Sequence, residues 1–175
     1  MMKHKKLYRL VLTALFAALT CIATMLIQIQ MPATNGYVNI GDCFVLLGAW
    51  VLGPWFGAAA GGIGSALADL LAGYPHYIPG TLVIKALMAV IAALLYQRLG
   101  KKHSYLGRLV GGVAAELWMV LGYFVYAWIA LGKGLAAATS IPGNLLQGVI
   151  GIVAALALVA ALQESKALGR MSTNG

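Results

Sequence analysis

Four ionisable residues lie in or beside long uncharged stretches of this 175-residue chain: Asp42, Asp69, Lys85 and Glu116. Each is costly in an apolar medium unless paired or hydrated, so each is a candidate functional group. Asp69 and Lys85 fall at similar depth on successive predicted helices joined by a short loop. They read as an ion pair that either fastens those helices together or takes part in a ligand site. Asp42 opens another predicted helix, where a carboxylate caps free N–H groups and complements the helix dipole. Glu116 lies about two to three turns into a later helix, with Tyr123 at i+7 on the same face and Tyr126 three residues further on. Asn144 and Gln147, at i and i+3, place two amides on one face near the start of the last helix. Carboxylate, phenol and amide groups from several helices either recognise a small polar ligand or cross-link the helices by hydrogen bonds.

The same residues offer no nucleophile and base. His4, His76 and His103 fall in tails or loops, and neither GxSxG nor HExxH occurs, so no catalytic residue is expected and an enzyme is disfavoured. Cys21 and Cys43 sit in apolar surroundings without CxxC or Cys/His spacing, which argues against a metal, a disulfide framework or a bound cofactor. Two segments are rich in aromatic and hydrogen-bonding groups: Asn35-Gly36-Tyr37-Val38-Asn39-Ile40-Gly41-Asp42 and Gly73-Tyr74-Pro75-His76-Tyr77-Ile78-Pro79-Gly80-Thr81. Single tyrosines near a membrane surface act as interfacial anchors. Two such segments over a polar interior can also make a lid and an aromatic slot for a small flat ligand, with Tyr37, Asn39, Tyr74 and Tyr77 as contacts.

The elements that must hold these groups are membrane helices. The chain is 62% hydrophobic and 9% charged, with mean hydropathy +0.89, against roughly 45–50% and about 25% in soluble domains. A soluble monomer is excluded. The formal charge of +8 is not laid out as a basic stripe on a water-facing surface, so a nucleic-acid partner is excluded too. The charge reads as topology. Basic residues cluster at Lys3, Lys5, Lys6 and Arg9, at Arg98, Lys101, Lys102 and Arg108, and at Lys166 and Arg170. All three clusters fall on the cytoplasmic side only if the uncharged stretch from Cys43 to Ala68 is divided at Gly53-Pro54, where proline removes a backbone donor and glycine ends a helix.

The expected fold is therefore all-α: one substrate-binding domain over residues 1–175, a bundle of six transmembrane helices with both termini cytoplasmic. The spans are predicted at about 10–29, 40–53, 55–73, 79–98, 107–131 and 141–163. The first, too long for the apolar core of a signal peptide, has about the 20 residues needed to cross a bilayer. It carries Ala14 and Ala18 in an AxxxA spacing, a smooth strip suited to close approach by another helix. The small residues of the third, Gly57 to Ala68, are read as internal packing.

These features in this order, with the runs NGYVNIGD, LGPWFGAAAGGIGSALADLLAGYPHYIPGTLVIKALM, ELWMVLGYFVYAW and SIPGNLLQGVIG, resemble the substrate-binding S components of energy-coupling factor (ECF) vitamin transporters. The resemblance extends from about Leu12 to Leu162 and is nearest the branch associated with hydroxymethylpyrimidine, pyridoxine-like compounds or riboflavin. It implies a subunit that captures a vitamin from outside and closes its loops over it. It also implies docking, through Ala14 and Ala18, onto a transmembrane T subunit driven by two cytoplasmic ATPases. No GxxxxGK[ST] loop occurs in this chain, so ATP hydrolysis falls to partners. A hydroxylated pyridine or pyrimidine would stack on tyrosine or tryptophan and bond Glu116, Asn144 and Gln147, with Lys85 meeting a ring hydroxyl. Riboflavin would need a longer slot. The reading of another class is a structural or assembly protein, or a small channel, without a saturable ligand.

Overall fold

The computed structural model describes residues 2–100 and 104–164. Lys101, Lys102, His103, Lys166 and Arg170, which enter the topology and chemistry read from the sequence, lie outside the described residues. Within them the order is α1 (Met2–Leu26), β1 (Gln28–Met31), β2 (Gly36–Asn39), α2 (Asp42–Leu52), α3 (Pro54–Leu71), α4 (Ile78–Leu99), α5 (Ser104–Val125) and α6 (Ser140–Glu164). A π-helical turn, Tyr126–Ala130, and a 3-10 helix, Gly134–Thr139, join α5 to α6.

The purely helical expectation needs one correction. Gln28 and Ile29, assigned to the first helix, belong instead to an antiparallel hairpin that pairs Gln28 with Asn39 and Met31 with Gly36. The alternation of Gln28, Ile29 and Gln30 has the period of a strand, and Pro32 cannot continue a helix. Asn35 supplies the positive φ (51°) that turns the chain back. The fifth helix likewise stops being regular at Val125 rather than Leu131. There the Leu131 N–H reaches back five residues to the Tyr126 carbonyl (3.1 Å).

The division at Gly53-Pro54 is present. Gly53 has φ +81°, a conformation that disfavours side chains, and Pro54 starts α3 without needing an N–H. Among the described residues, four segments are long and apolar enough to cross a bilayer: Lys6–Leu26, Ile78–Leu99, Ser104–Ala130 and Gly134–Glu164. The 11 residues of α2 rise only about 17 Å, against about 30 Å of hydrocarbon.

Polar groups lie inside the molecule, while its outer surface is apolar. Asp42, Lys85, Glu116, Asn144 and Gln147 are buried, while Leu15, Ile22, Leu67, Leu117, Val149 and Val153 are exposed. Only a lipid-facing surface makes that distribution favourable. The apolar centre is built on α2 and α4, where Leu46, Met88, Ala89, Ala92 and Ala93 are wholly buried. α3 reaches its neighbours through bare backbone. A Cβ on Gly64 would stand 2.4 Å from the Ala17 carbonyl oxygen of α1, and one on Gly61 would stand 2.9 Å from Val45 of α2. The small residues of α3 thus serve internal packing. Ala14 and Ala18, by contrast, are exposed on α1 beside Val11, Leu15 and Ile22.

Candidate functional site

The hairpin folds over one end of the bundle and encloses a cavity of about 30 Å³, roughly enough for one or two water molecules. Three helices bring polar groups to it about one turn apart. α3 contributes Ser65 and Asp69, α4 contributes Thr81 and Lys85, and α6 contributes Ser140, Asn144 and Gln147. Thr24 of α1, Met31, Gly36, Tyr37 and Asn39 of the hairpin, and Tyr77 and Tyr123 complete the lining.

Lys85 is the anchor beneath this cavity, and its partner differs from the one expected. Its ammonium donates to Asp42 Oδ1, with both side chains buried, rather than to Asp69. The other Asp42 oxygen accepts from Gln147 Nε2 (2.6 Å), and Gln147 Oε1 accepts from the backbone N–H of Asn39 (2.7 Å). Asp42 therefore does not cap its helix through its side chain; its carboxylate turns inward and ties α2 to α4 and α6. The cation satisfies the carboxylate, and the amide passes the bonding on to the hairpin. Lys85 Nζ also lies 5.5 Å from the centre of the Tyr123 ring, within cation–π range. Tyr123 in turn donates to Thr81 Oγ1 (3.0 Å).

Asp69 belongs to the cavity wall. Its Oδ1 accepts from the Tyr37 hydroxyl (2.6 Å), while its Oδ2 is buried without a hydrogen-bond partner. Burial, reinforced by the Asp69 charge, pushes the Tyr37 phenol pKa up, so Tyr37 remains a donor. Asn144 Nδ2 is the second buried polar atom of the lining without a partner.

Tyrosines form an arc over the opening. Tyr37 and Tyr74 have ring centroids 4.8 Å apart, and Tyr77 stands 6.2 Å from Tyr123 and 6.0 Å from Tyr126. Tyr77 is pinned by its hydroxyl to the Thr34 carbonyl (2.9 Å), and Tyr126 by its own to the His76 carbonyl (2.7 Å). The Tyr74 hydroxyl donates to Gln30 Oε1, so Tyr74 buttresses Tyr37 without lining the cavity.

Of the expected ligand contacts, Tyr37, Asn39, Tyr77, Lys85, Tyr123, Asn144 and Gln147 come together here. Glu116 does not. It lies seven residues below Tyr123, about 10 Å along the helix. A Cβ on Gly151 would stand 2.9 Å from Glu116 Oε1 and 3.0 Å from the Asp42 side chain, so Glu116 backs the ion pair rather than the cavity. Thr24, Ser65, Thr81 and Ser140 were not among the expected contacts, while Asp69 was expected through an ion pair with Lys85 that either fastens helices or takes part in a ligand site. The i, i+4 pairs Ser65/Asp69, Thr81/Lys85 and Ser140/Asn144 are a signal that points to three of those four. No group of three or more His, Cys, Asp or Glu able to hold a metal occurs among the described residues.

The description of the ECF-type riboflavin transporter S component matches residues 4–164 of this chain. A Pyrococcus woesei chain known only as an uncharacterized protein in the gap 3' region is 41% identical over 133 residues, covering 75% of this chain and 86% of its own length. The thiamine precursor transporter HmpT of Lactococcus lactis subsp. cremoris (strain MG1363) is 28% identical over 159 residues, covering 90% of this chain and 89% of its own. The solved S component of a bacterial ECF transporter superposes with a TM-score of 0.67 at 19% identity, over 89% of this chain and 95% of that one. That last likeness concerns the fold.

The ion-pair geometry carries a stability prediction. Lys85→Met leaves Asp42 buried without its cation and should lower stability by about 3–5 kcal/mol. Adding Asp42→Asn to it should restore much of that loss. Denaturation of the detergent-purified variants checks both.

Proposed function

The chain belongs to the family of ECF-type riboflavin transporter S components, and from that membership we propose that it captures a small hydroxylated nitrogen heterocycle, of the hydroxymethylpyrimidine or pyridoxine type, in the cavity beneath the hairpin. The family is one of substrate-binding membrane subunits of transporters rather than of enzymes. The observation that carries the proposal is the pair of buried, unpartnered polar atoms, Asp69 Oδ2 and Asn144 Nδ2, in a cavity roofed by tyrosines. Buried polar atoms in native proteins are nearly always paired, so two in one cavity support a polar ligand there. The 28% identity to a thiamine precursor transporter over 90% of the chain supports the pyrimidine type. Riboflavin is the second reading, favoured by the description of the family.

In this proposal Tyr37, Tyr77 and Tyr123 flank the ring, and Asn144 and Gln147 bond its heteroatoms. Lys85, Asn39 and Asp42 hold the floor and tie the hairpin to it. A ring enters when the hairpin lifts, which breaks the Tyr37–Asp69 and Asn39–Gln147 bonds. The chain acts as one domain of six helices with both termini cytoplasmic and the hairpin outside. Arg9 and Arg108, which lie over Phe56 and Tyr96, fall at the opposite end and suit the cytoplasmic side. The exposed strip of α1 at Ala14 and Ala18 docks onto a T subunit powered by two ATPases.

Titration of the detergent-purified chain with hydroxymethylpyrimidine, pyridoxine and riboflavin, followed by the fluorescence of Trp50, Trp55, Trp118 and Trp128, tests the ligand. Trp118 is the nearest reporter, since its Nε1 donates to the Ile84 carbonyl beside Lys85 (3.1 Å). A saturable change with the pyrimidine or with pyridoxine is expected. A response to riboflavin alone favours the second reading, and no response to any of the three favours a structural role. Docking is checked separately: Ala14→Trp or Ala18→Trp should abolish uptake by the complete transporter while binding to the isolated chain stays unchanged. Equal loss of both would remove the docking assignment.

A further inference from the structure

We propose that Arg108 marks a binding site for an anionic phosphodiester, the headgroup phosphate of a lipid, where α4 runs into α5 at the end of the bundle opposite the hairpin. The site lies away from the cavity and does not depend on what the cavity holds.

The observation is a buried cation without an anion. Arg108 sits one turn into α5 and is 8% exposed. Its Nη2 donates to the Tyr96 hydroxyl (3.0 Å), its guanidinium carbon lies 4.7 Å from the centre of the same ring, and its Nε is buried with no hydrogen-bond partner. A phenol and a ring face carry no net charge, so the guanidinium charge is left uncompensated. Buried arginines are paired as a rule, because an isolated ion is costly to take out of water. The chain does not supply the counterion from its acidic side chains. The sequence has four Asp and Glu residues, and all four lie among the described residues. Asp42 is taken by Lys85, Asp69 accepts from Tyr37 under the hairpin, Glu116 backs the Asp42–Lys85 pair, and Glu164 is exposed at the end of α6. None of them bonds Arg108, and Arg98 adds an exposed cation at the same end.

The place selects the anion. α4 and α5 belong to segments long enough to cross a bilayer, and Arg108 stands about 6 Å from the start of its helix, at the edge of the hydrocarbon where lipid phosphates lie. Tyr105, one turn before Arg108, is 66% exposed, and Trp55, beside the Gly53 turn that faces Gln97 of α4, is 78% exposed. Exposed rings of this kind sit at headgroup level. The guanidinium is held for the task. A Cβ on Gly100 would stand 2.8 Å from the Tyr96 ring, and one on Gly107 would stand 2.6 Å from the Gly100 nitrogen, so bare backbone brings the two helix ends together and wedges the ring beside Arg108. A guanidinium carries several N–H donors, of which Tyr96 takes one, and the fork that remains matches the oxygens of a phosphate. Lipid phosphate is present at this depth all around the molecule, so it is the anion that meets Arg108 without a partner protein.

The test compares thermal unfolding of the full-length chain in vesicles of phosphatidylcholine alone and of phosphatidylcholine with phosphatidylglycerol in equal parts. Phosphatidylglycerol should raise the midpoint of the unaltered chain by about 2–4 °C. Arg108→Gln should remove that gain, whereas Arg98→Gln should keep it. In phosphatidylcholine alone Arg108→Gln should be as stable as the unaltered chain, because the charge it removes has no partner there. Equal destabilisation by Arg108→Gln in both lipids overturns the proposal, since it would mean that the Tyr96 contact alone accounts for Arg108. A gain that survives Arg108→Gln, or that Arg98→Gln removes equally, overturns it in favour of a general attraction of the basic end to an anionic surface. Inorganic phosphate added to the chain in phosphatidylcholine should have no effect, and a gain equal to that from phosphatidylglycerol overturns the lipid as source. No gain from phosphatidylglycerol in the unaltered chain overturns the site itself and points to a carboxylate of a partner protein. That comparison decides the matter even if Arg108→Gln does not fold.

Discussion

The structure turns on a single buried ion pair. Lys85 of α4 and Asp42 of α2 meet inside a bundle whose outer surface is apolar, and both side chains are buried. Isolating either charge costs several kcal/mol, so the two helices are held in one register. Gln147 extends the constraint to α6, and through the Asn39 N–H to the hairpin. Four elements, the hairpin with α2, α4 and α6, are tied by three polar contacts, and the cavity is the space they leave above Lys85.

Around this floor the packing follows from residue size. The glycines of α3 bring α1 and α2 within backbone contact, which leaves no room for side chains there and pushes the larger residues outward to lipid. The exposed alanines of α1 are the exception: small residues on an outer face, where lipid alone would be met equally well by leucine.

Much of the architecture was legible from charge and punctuation. The uncharged intervals placed the helices, and Gly53-Pro54 divided α2 from α3, because proline and a positive φ act locally. The hairpin was missed although Asn35-Gly36 between alternating residues is a turn signal, since the preceding apolar run read as a continuing helix. Seven of the nine expected contacts line the cavity, because helical periodicity fixes the face of a residue on its own helix. The partner of Lys85 was misjudged for the converse reason. Asp69 is near it in sequence and depth, but which helix stands opposite Lys85 depends on the rotation of α4, which no local pattern encodes. Glu116 shows the limit of alignment along one face: i+7 matches direction but places the carboxylate two turns from Tyr123, outside the lining of this cavity.

The central claim is that the ligand sits beneath the hairpin. Hydrogen–deuterium exchange of the detergent-purified chain, with and without saturating hydroxymethylpyrimidine, addresses that location directly. The account predicts added protection at residues 28–39 and 74–81, with residues 113–120 and 148–152 unchanged. Protection confined to the latter two segments, where Glu116 lies between α5 and α6, would contradict it.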